Sequence, residues 1–264
     1  MVGEKYEMVE FKLNPESLRD GIYILSEINN EFENIYLKVR EYENRIYSAE
    51  ELKKLPFASD TNSHKKEWDL RSKSFLRFKD YFNTKKGNLN ILDLGSGNGW
   101  FCGQLDKSFA YNFFCVDVNL TELKQGRSVF NSEKIKFIYA DIFTADIPQT
   151  TFDIIVLNAA VQYFPDLKIL VNRLLNLLND TGEIHFIDSP FYSENEVKNA
   201  RKRTFDYYRS IGFPEMETKY FHHSLNEFSK FNSEMLYTPN SIGYKFKKLL
   251  SINDSPFHWI RILR

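Results

Sequence analysis

The sequence predicts an α/β protein: a doubly wound, mostly parallel sheet with helices on both faces. Three observations lead there. From residue 88 onward, apolar runs of strand length alternate with amphipathic stretches of helix length, the pattern of a parallel sheet covered on both sides. The first of those runs breaks into glycines at alternate positions, Gly95-Ser96-Gly97-Asn98-Gly99. Residues 1–86 show helical periodicity instead. With 264 residues, 42% of them apolar, the chain can bury a sizeable core as one large domain or as a domain with an appendage.

In the N-terminal part, Leu25, Ile28, Phe32, Ile35, Tyr36, Val39, Tyr42 and Ile46 follow three-four spacing. They predict a long amphipathic helix, with Asn14-Pro15 as its start. Ser48 with Glu51 is a capping box, and Pro56 stops the short helix it opens. A third helix is expected over about residues 64–84, its stripe formed by Trp68, Phe75, Phe78 and Phe82. Residues 1–86 therefore read as a helical extension that caps the α/β core. Strands are expected at 89–94, 112–118, 135–140, 152–158 and 183–188, with the clearest crossover helix from Leu167 to Leu178. Past residue 190 the alternation stops. A helix from Asn195 to about Ile211, an irregular aromatic stretch, a strand at Glu234–Thr238 and a last strand at His258–Leu263 complete the chain.

Composition removes several classes. A net charge of −1 provides no global field for nucleic acid or membrane. Two cysteines, Cys102 and Cys115, are too few for a disulfide framework and lack metal-site spacing, so they read as buried thiols of a reducing compartment, with no metal expected. The N-terminus lacks a signal-type apolar stretch and no run reaches membrane-spanning length. The expectation is a cytoplasmic protein that takes a small molecule rather than nucleic acid or membrane as its partner.

The glycine run decides which nucleotide the fold would take. A nicotinamide or flavin fingerprint, G-x-G-x-x-G, needs glycine at position 100, where Trp100 stands. A P-loop needs Gly-Lys-Ser or Gly-Lys-Thr at its end, and neither is present. What stands here is acidic-x-G-x-G-x-G from Asp93 to Gly99. The second strand ends on Asp117-Val118, where a carboxylate can accept both hydroxyls of a ribose. The third ends on Asp141-Ile142 and the fourth on Asn158.

These strand ends, in this order, resemble class I S-adenosylmethionine-dependent methyltransferases over residues 65–264. The resemblance implies a seven-stranded sheet with its last strand antiparallel. It implies S-adenosylmethionine as donor and S-adenosylhomocysteine as product. It places Gly95, Ser96, Gly97, Asn98 and Gly99 against the donor, Asp117 on the ribose with Val118 beside it, Asp141 on the adenine amino group and Ile142 against the ring. Asn158 would border the crevice. Asp93 would orient the loop by accepting its backbone N–H groups or face the methionine end. Arg71 interrupts the apolar stripe of the third helix, where a charge needs a partner, and would pair with the donor's carboxylate while Trp68 closes over it. Residues 87–264 would form the donor-binding core, with 190–257 supplying the acceptor-side cap.

Catalytic residues are less visible, because methyl transfer from a sulfonium chiefly requires alignment and exclusion of water. His222 and His223 fall where the family selects its acceptor and are the candidate bases. His185, between Ile184 and Phe186, reads as a core histidine. Tyr163 and Phe164 could line the crevice. The Arg201-Lys202-Arg203 run, with Lys198 and Arg209, reads as a solvated helix face. Asn158-Ala159-Ala160-Val161 lacks the Asn/Asp-Pro-Pro-aromatic pattern of methyltransferases that act on nucleic-acid bases, and lacks the carboxylate cluster of aminopropyl transferases. The expected activity is methyl transfer to the oxygen or nitrogen of a small or medium organic acceptor. An RNA or protein methyltransferase is the alternative within enzymes, and an inactive cofactor-binding regulatory or scaffold module the alternative outside them.

Overall fold

The computed structural model describes residues 11–239 and 254–264. The first ten residues of the 1–86 extension, and 240–253 of the 190–257 segment, lie outside the described residues. The strands and helices in chain order are β1 (Leu18–Arg19), β2 (Ile22–Ile24), α1 (Asn30–Tyr42), α2 (Ala49–Leu52), α3 (Lys65–Phe82), β3 (Asn90–Leu94) and α4 (Trp100–Asp106). Then come β4 (Asn112–Asp117), α5 (Leu120–Val129), β5 (Ile135–Tyr139), β6 (Phe152–Asn158), α6 (Leu167–Leu177) and β7 (Leu178–Ile187). The last are β8 (Phe191–Tyr192), α7 (Glu194–Ser210), β9 (His223–Ser224), β10 (Ser233–Tyr237) and β11 (Trp259–Leu263).

Nine strands join in one sheet, in the order β1-β2-β5-β4-β3-β6-β7-β11-β10. The pairs from β2 to β7 are parallel. β11 runs antiparallel to β7, and β10 antiparallel to β11. The seven expected strands are all present, and the last is the antiparallel one, as expected. β7 starts earlier than the sequence suggests: Thr181-Gly182 lies inside its irregular opening.

The expected count of seven strands is corrected to nine by residues 18–24. They form an antiparallel pair across Asp20-Gly21, both at positive φ (51° and 79°). β2 then docks on β5, with Ile22 opposite Phe137. The long N-terminal helix is corrected with it. Asn14 caps a single 3-10 turn at Pro15–Ser17, and α1 starts instead behind Asn29, whose side chain accepts from Glu31 N–H. Leu25 and Ile28 precede the helix and Ile46 follows it. The run Ile22-Tyr23-Ile24 is too short to stand out against three-four spacing, and its partner strand lies more than a hundred residues away.

Side-chain alternation along the strands splits the core in two. On one face Ile91, Ile154 and Val156 pack with Trp68, Phe75, Phe78 and Phe82 of α3, all buried. On the other, Leu92, Leu94, Ile155 and Leu157 meet Leu167, Leu170, Val171 and Leu174 of α6. Phe78 and Phe82 are fully buried, so truncating either to alanine costs about 3–5 kcal/mol. α3 is also fastened by polar contacts. Tyr81 and Lys85 both donate to Glu183 of β7. His185 is the core histidine expected: its Nδ1 accepts from Trp259 Nε1 at 3.0 Å, and its Nε2 lies 3.0 Å from Glu183.

Because β3, β4, β5 and β6 are parallel, their carboxyl ends open on one edge. The roof over that edge comes from two remote segments. Val39 of α1, Tyr208 of α7 and Met216 form a small buried cluster, with Phe32, Tyr36, Tyr163 and Tyr220 packed around it.

Candidate functional site

The cleft at this edge has two adjoining halves of about 800 Å³ and about 540 Å³. Tyr36, Gly95, Gly97, Glu122, Ala159 and Tyr163 line both, so they form the waist between them.

The glycine loop makes the floor. Gly95 has φ +73°, and a Cβ there would stand 2.5 Å from the Cβ of Ala160. Only glycine lets β3 and the segment after β6 approach this closely. Gly97, also at positive φ, faces the Glu122 carboxylate, which would lie 2.9 Å from an added Cβ. Gly95 N–H and Ser96 N–H both donate to the Val116 carbonyl, and Gly97 N–H donates to Asp117 Oδ2 at 2.7 Å. Gly99 caps α4 and borders neither half.

The expected role of Asp93 changes. None of the hydrogen bonds made by the loop N–H groups goes to it: those of Gly95, Ser96 and Gly97 use β4, and that of Gly99 donates to the Ser96 carbonyl. Asp93 Oδ2 accepts from the Cys102 thiol at 3.6 Å, and Oδ1 is buried with no hydrogen-bond partner among the described residues. It lies under the loop and lines neither half. Burial pushes its carboxyl up to about 7, and Asp117 adds to the rise. Asp93, Cys102 and Cys115 bring a carboxylate and two thiols within 4.8 Å of one another. Burial raises both thiols, which keeps them protonated, and the thiolate is the metal-binding form.

The larger half gathers the residues expected at the nucleoside end of the donor. Asp117, Val118, Asp141 and Ile142 all line it. Burial raises Asp117, while N–H donors from Gly97, Asn119 and Val118 act to lower it. Asp141 Oδ1 accepts from Phe143 N–H at 2.9 Å. The chain after β2 adds a contribution that sequence reasoning misses. Ser26 accepts from Asp141 N–H at 3.1 Å, Asn29 N–H donates to the Tyr139 hydroxyl at 2.9 Å, and Phe32 lines the wall. Periodicity assigns these positions to a helix, which hides their place at the end of an edge strand.

The smaller half is polar and aromatic. Arg71 lies there, over the ring of Trp68 at 4.5 Å and that of Trp100 at 5.3 Å. It donates to Asn158 Oδ1 at 3.3 Å, and its Nε is 3.7 Å from Asp188 Oδ2. Burial raises the Asp188 carboxyl, and Arg71 acts to lower it. Around this pair, four buried polar atoms have no hydrogen-bond partner among the described residues: Arg71 Nε, Asn158 Nδ2, Ser96 Oγ and Asp188 Oδ1. Buried polar groups are ordinarily satisfied, so a set of three donors and an acceptor facing one cavity marks a place for a ligand with complementary groups.

His222 and His223 line neither half. His222 Nε2 is 2.8 Å from the hydroxyl of Thr204, which does line the smaller half. Burial, then Arg201, His223 and Arg203, push it down to about 4. His223 is held by the Phe164 carbonyl at 2.9 Å. Tyr163 stands at the waist and Phe164 in the larger half. Of the basic run, Lys202 pairs with Asp206 on the helix surface, while Arg203 lines the smaller half.

Sequence reasoning also misses Glu122, five positions past Asp117. Burial pushes its carboxyl up to about 7, opposed by Arg40 and reinforced by Asp117 and Glu33. A charged residue in the first turn of a helix ordinarily reads as favourable at the N-terminus, and nothing in the local pattern aims it at the cleft.

A family model described as a methyltransferase domain matches residues 85–237, more than half of the chain. An uncharacterised methyltransferase of Mycobacterium tuberculosis is 31% identical over 98 residues, which cover 37% of this chain and 49% of that protein. A phosphoethanolamine N-methyltransferase of Triticum aestivum is 27% identical over 180 residues, covering 66% of this chain and 34% of that one. The chain thus spans about half the length, or less, of these curated relatives. Among solved structures, a putative sarcosine dimethylglycine methyltransferase from Galdieria sulphuraria superposes with a TM-score of 0.57 at 14% identity, covering 87% of this chain and 97% of that one. That likeness is one of fold.

Proposed function

We propose, from the premise that this chain belongs to the methyltransferase-domain family, that it transfers a methyl group from S-adenosylmethionine to the oxygen or nitrogen of a small or medium organic acceptor. The observation that carries this reading is the set of unpartnered atoms beside the glycine loop. Arg71 Nε, Asn158 Nδ2 and Ser96 Oγ suit a carboxylate, and Asp188 Oδ1 suits an ammonium. The methionine end of the donor has both. The nitrogen acceptor named for the wheat relative agrees with half of the proposed acceptor range.

When bound, the donor would supply a sulfonium-activated methyl group, so the chain has chiefly to hold, align and exclude water. Asp117, with Val118 beside it, would accept the ribose hydroxyls, and Asp141 with Ile142 would hold the base. Arg71, Asn158 and Asp188 would hold the amino-acid end. Tyr36 of α1 packs with Tyr163 and Tyr220 over the waist, where exclusion of water would favour the transfer. A proton released by the acceptor has a receiver in the Glu122 carboxylate, which stands at that waist and titrates near neutrality. A general base works best with a pKa near the operating pH. His222, held neutral behind Thr204, reaches the cleft only through that hydroxyl.

Calorimetry with S-adenosylmethionine and S-adenosylhomocysteine, followed by a methyl-transfer assay over a panel of amines, alcohols and acids, tests the reading. Binding of both nucleosides and turnover of at least one acceptor are expected. Absence of nucleoside binding by the folded chain would refute it.

A further inference from the structure

The smaller half of the cleft contains a cation that the donor does not account for. Four arginines line it, Arg203 of α7 among them. Arg45 is braced by Glu43 and by both oxygens of Glu67. Arg71 is paired with Asp188. Arg40, the third, comes from the last turn of α1 and lines the same half. Its Nε is buried without a hydrogen-bond partner among the described residues, and its guanidinium rests 5.5 Å from the ring centre of Tyr36. Glu122 is the carboxyl that faces it, without forming an ion pair, and burial pushes Glu122 up to about 7. Arg40 thus lines the cleft with no ion pair and with its Nε unpartnered among the described residues.

Tyrosines line this half beside Arg40, along with the carboxyl groups of Glu43, Glu67, Glu122 and Asp188. Tyr36, Tyr163, Tyr220 and Tyr208 form a continuous line of rings from α1 to α7, with successive centroids 5.7, 5.9 and 6.2 Å apart. All four line this half, and burial raises each phenol above its ordinary value. They are O–H donors at any working pH. An aromatic enclosure can also hold an ammonium by its ring faces, but a guanidinium fixed against Tyr36 repels one. Protonated phenols around a planar fork of N–H groups suit an oxyanion instead. Arg203 of α7 adds a further positive charge to the lining of this half.

We propose that the methyl acceptor bears an oxyanion, a carboxylate or a phosphate monoester, which docks on Arg40 beside this line of tyrosines. The proposal rests on the methyl-transfer reading above and names the acceptor's chemical class. Arg71 then serves the carboxylate of the donor and Arg40 the anion of the acceptor, one arginine on each side of the reacting atoms.

The test uses the full chain saturated with S-adenosylhomocysteine and titrated with inorganic phosphate and, separately, with malonate. At least one probe should bind, and the stronger one names the anion. Arg40→Met should weaken it at least tenfold, Arg40→Lys less, and Glu122→Gln should tighten it by removing the facing carboxyl. Affinity for S-adenosylhomocysteine should stay within threefold in the Arg40 variants. Failure of both probes on the wild type overturns the proposal, as does equal binding by Arg40→Met. A tenfold loss of S-adenosylhomocysteine affinity in Arg40→Met overturns it too, by assigning Arg40 to the donor. Should Arg40→Met not fold, unchanged probe affinity in both Arg40→Lys and Glu122→Gln has the same force. If the wild type fails to bind S-adenosylhomocysteine at all, it is the methyl-transfer reading that falls.

Discussion

Replacing Arg71 with methionine separates its place in the core from its place in the site. The side chain is 12% exposed and Asp188 only 2%, so the pair is effectively out of water. In the free protein its hold is weak: one contact of 3.7 Å to Asp188 and one of 3.3 Å to Asn158. Removing a buried partner costs up to about 3–5 kcal/mol. Here burial already raises Asp188, so the orphaned carboxyl can take up a proton, and a loss of about 1–2 kcal/mol is expected. For a chain of this size that lowers the melting temperature by roughly 2–8 °C. The effect on donor binding is larger. A hydrogen bond between charged groups is worth about 1.5–3 kcal/mol, so losing the carboxylate contact should weaken S-adenosylhomocysteine about 10- to 150-fold. Arg71→Lys, which keeps the charge without the planar fork, should fall between. Trp68 and Trp100 flank the guanidinium, so their fluorescence reports occupancy alongside calorimetry. A folded Arg71→Met variant whose affinity stays within threefold would show that Arg71 only fills space between the two tryptophans.

The same geometry carries three further expectations. Gly95→Ala should destabilise by about 2–4 kcal/mol, from left-handed strain and overpacking against Ala160; adding Ala160→Gly should recover only the packing part, and a thermal-melt double-mutant cycle showing no coupling would contradict the contact. Glu183 is buried, yet bonds from His185, Lys85 and Tyr81 lower it from 4.5 to about 2; its stabilising contribution, up to about 3 kcal/mol, is present above pH 4.5 and lost as pH falls toward 2, so acid unfolding should be shallower in that window for Glu183→Gln. Asp93 and Glu122 are both pushed up to about 7; a bound cationic donor favours their ionised forms, so its binding should release protons and strengthen from pH 6 to 8, with Glu122→Gln flattening the profile and leaving His222→Gln, at constant fold, nearer to wild type in turnover.

How legible these features are in the sequence depends on how far apart the interacting residues lie in the chain. The donor half is written locally. Gly95 and Gly97 are needed where the loop has positive φ and close neighbours in Ala160 and Glu122, Asp117 and Asp141 fall at strand ends set by alternation, and each is recognisable within a window of ten residues. The edge strand Ile22–Ile24 escapes notice because its pairing with β5 is remote and its three residues also suit a helical stripe. Asp93 reads as a partner of the loop N–H groups because sequence shows proximity along the chain. The fold instead gives those donors to Val116 and Asp117 of the neighbouring strand, leaving Asp93 beneath the loop beside Cys102.

The region proposed to take the acceptor obeys the opposite rule. Arg40 and Tyr36 come from α1, Tyr163 from the segment after β6, Tyr208 from α7 and Tyr220 from the loop beyond it. Most of these segments are far apart in sequence, and each residue taken alone reads as an ordinary member of an amphipathic or aromatic stretch. Their meaning lies in the meeting of α1 with α7 over the strand ends. A donor that brings its own activation lets the chemistry be satisfied by many such roofs, because alignment and dryness place few demands on residue type. The motif for the donor is therefore constrained by one ligand's backbone contacts, while the roof is free to be shaped by whichever acceptor it encloses. A guanidinium under that roof, its Nε unpartnered among the described residues, is the feature on which the proposed oxyanion rests.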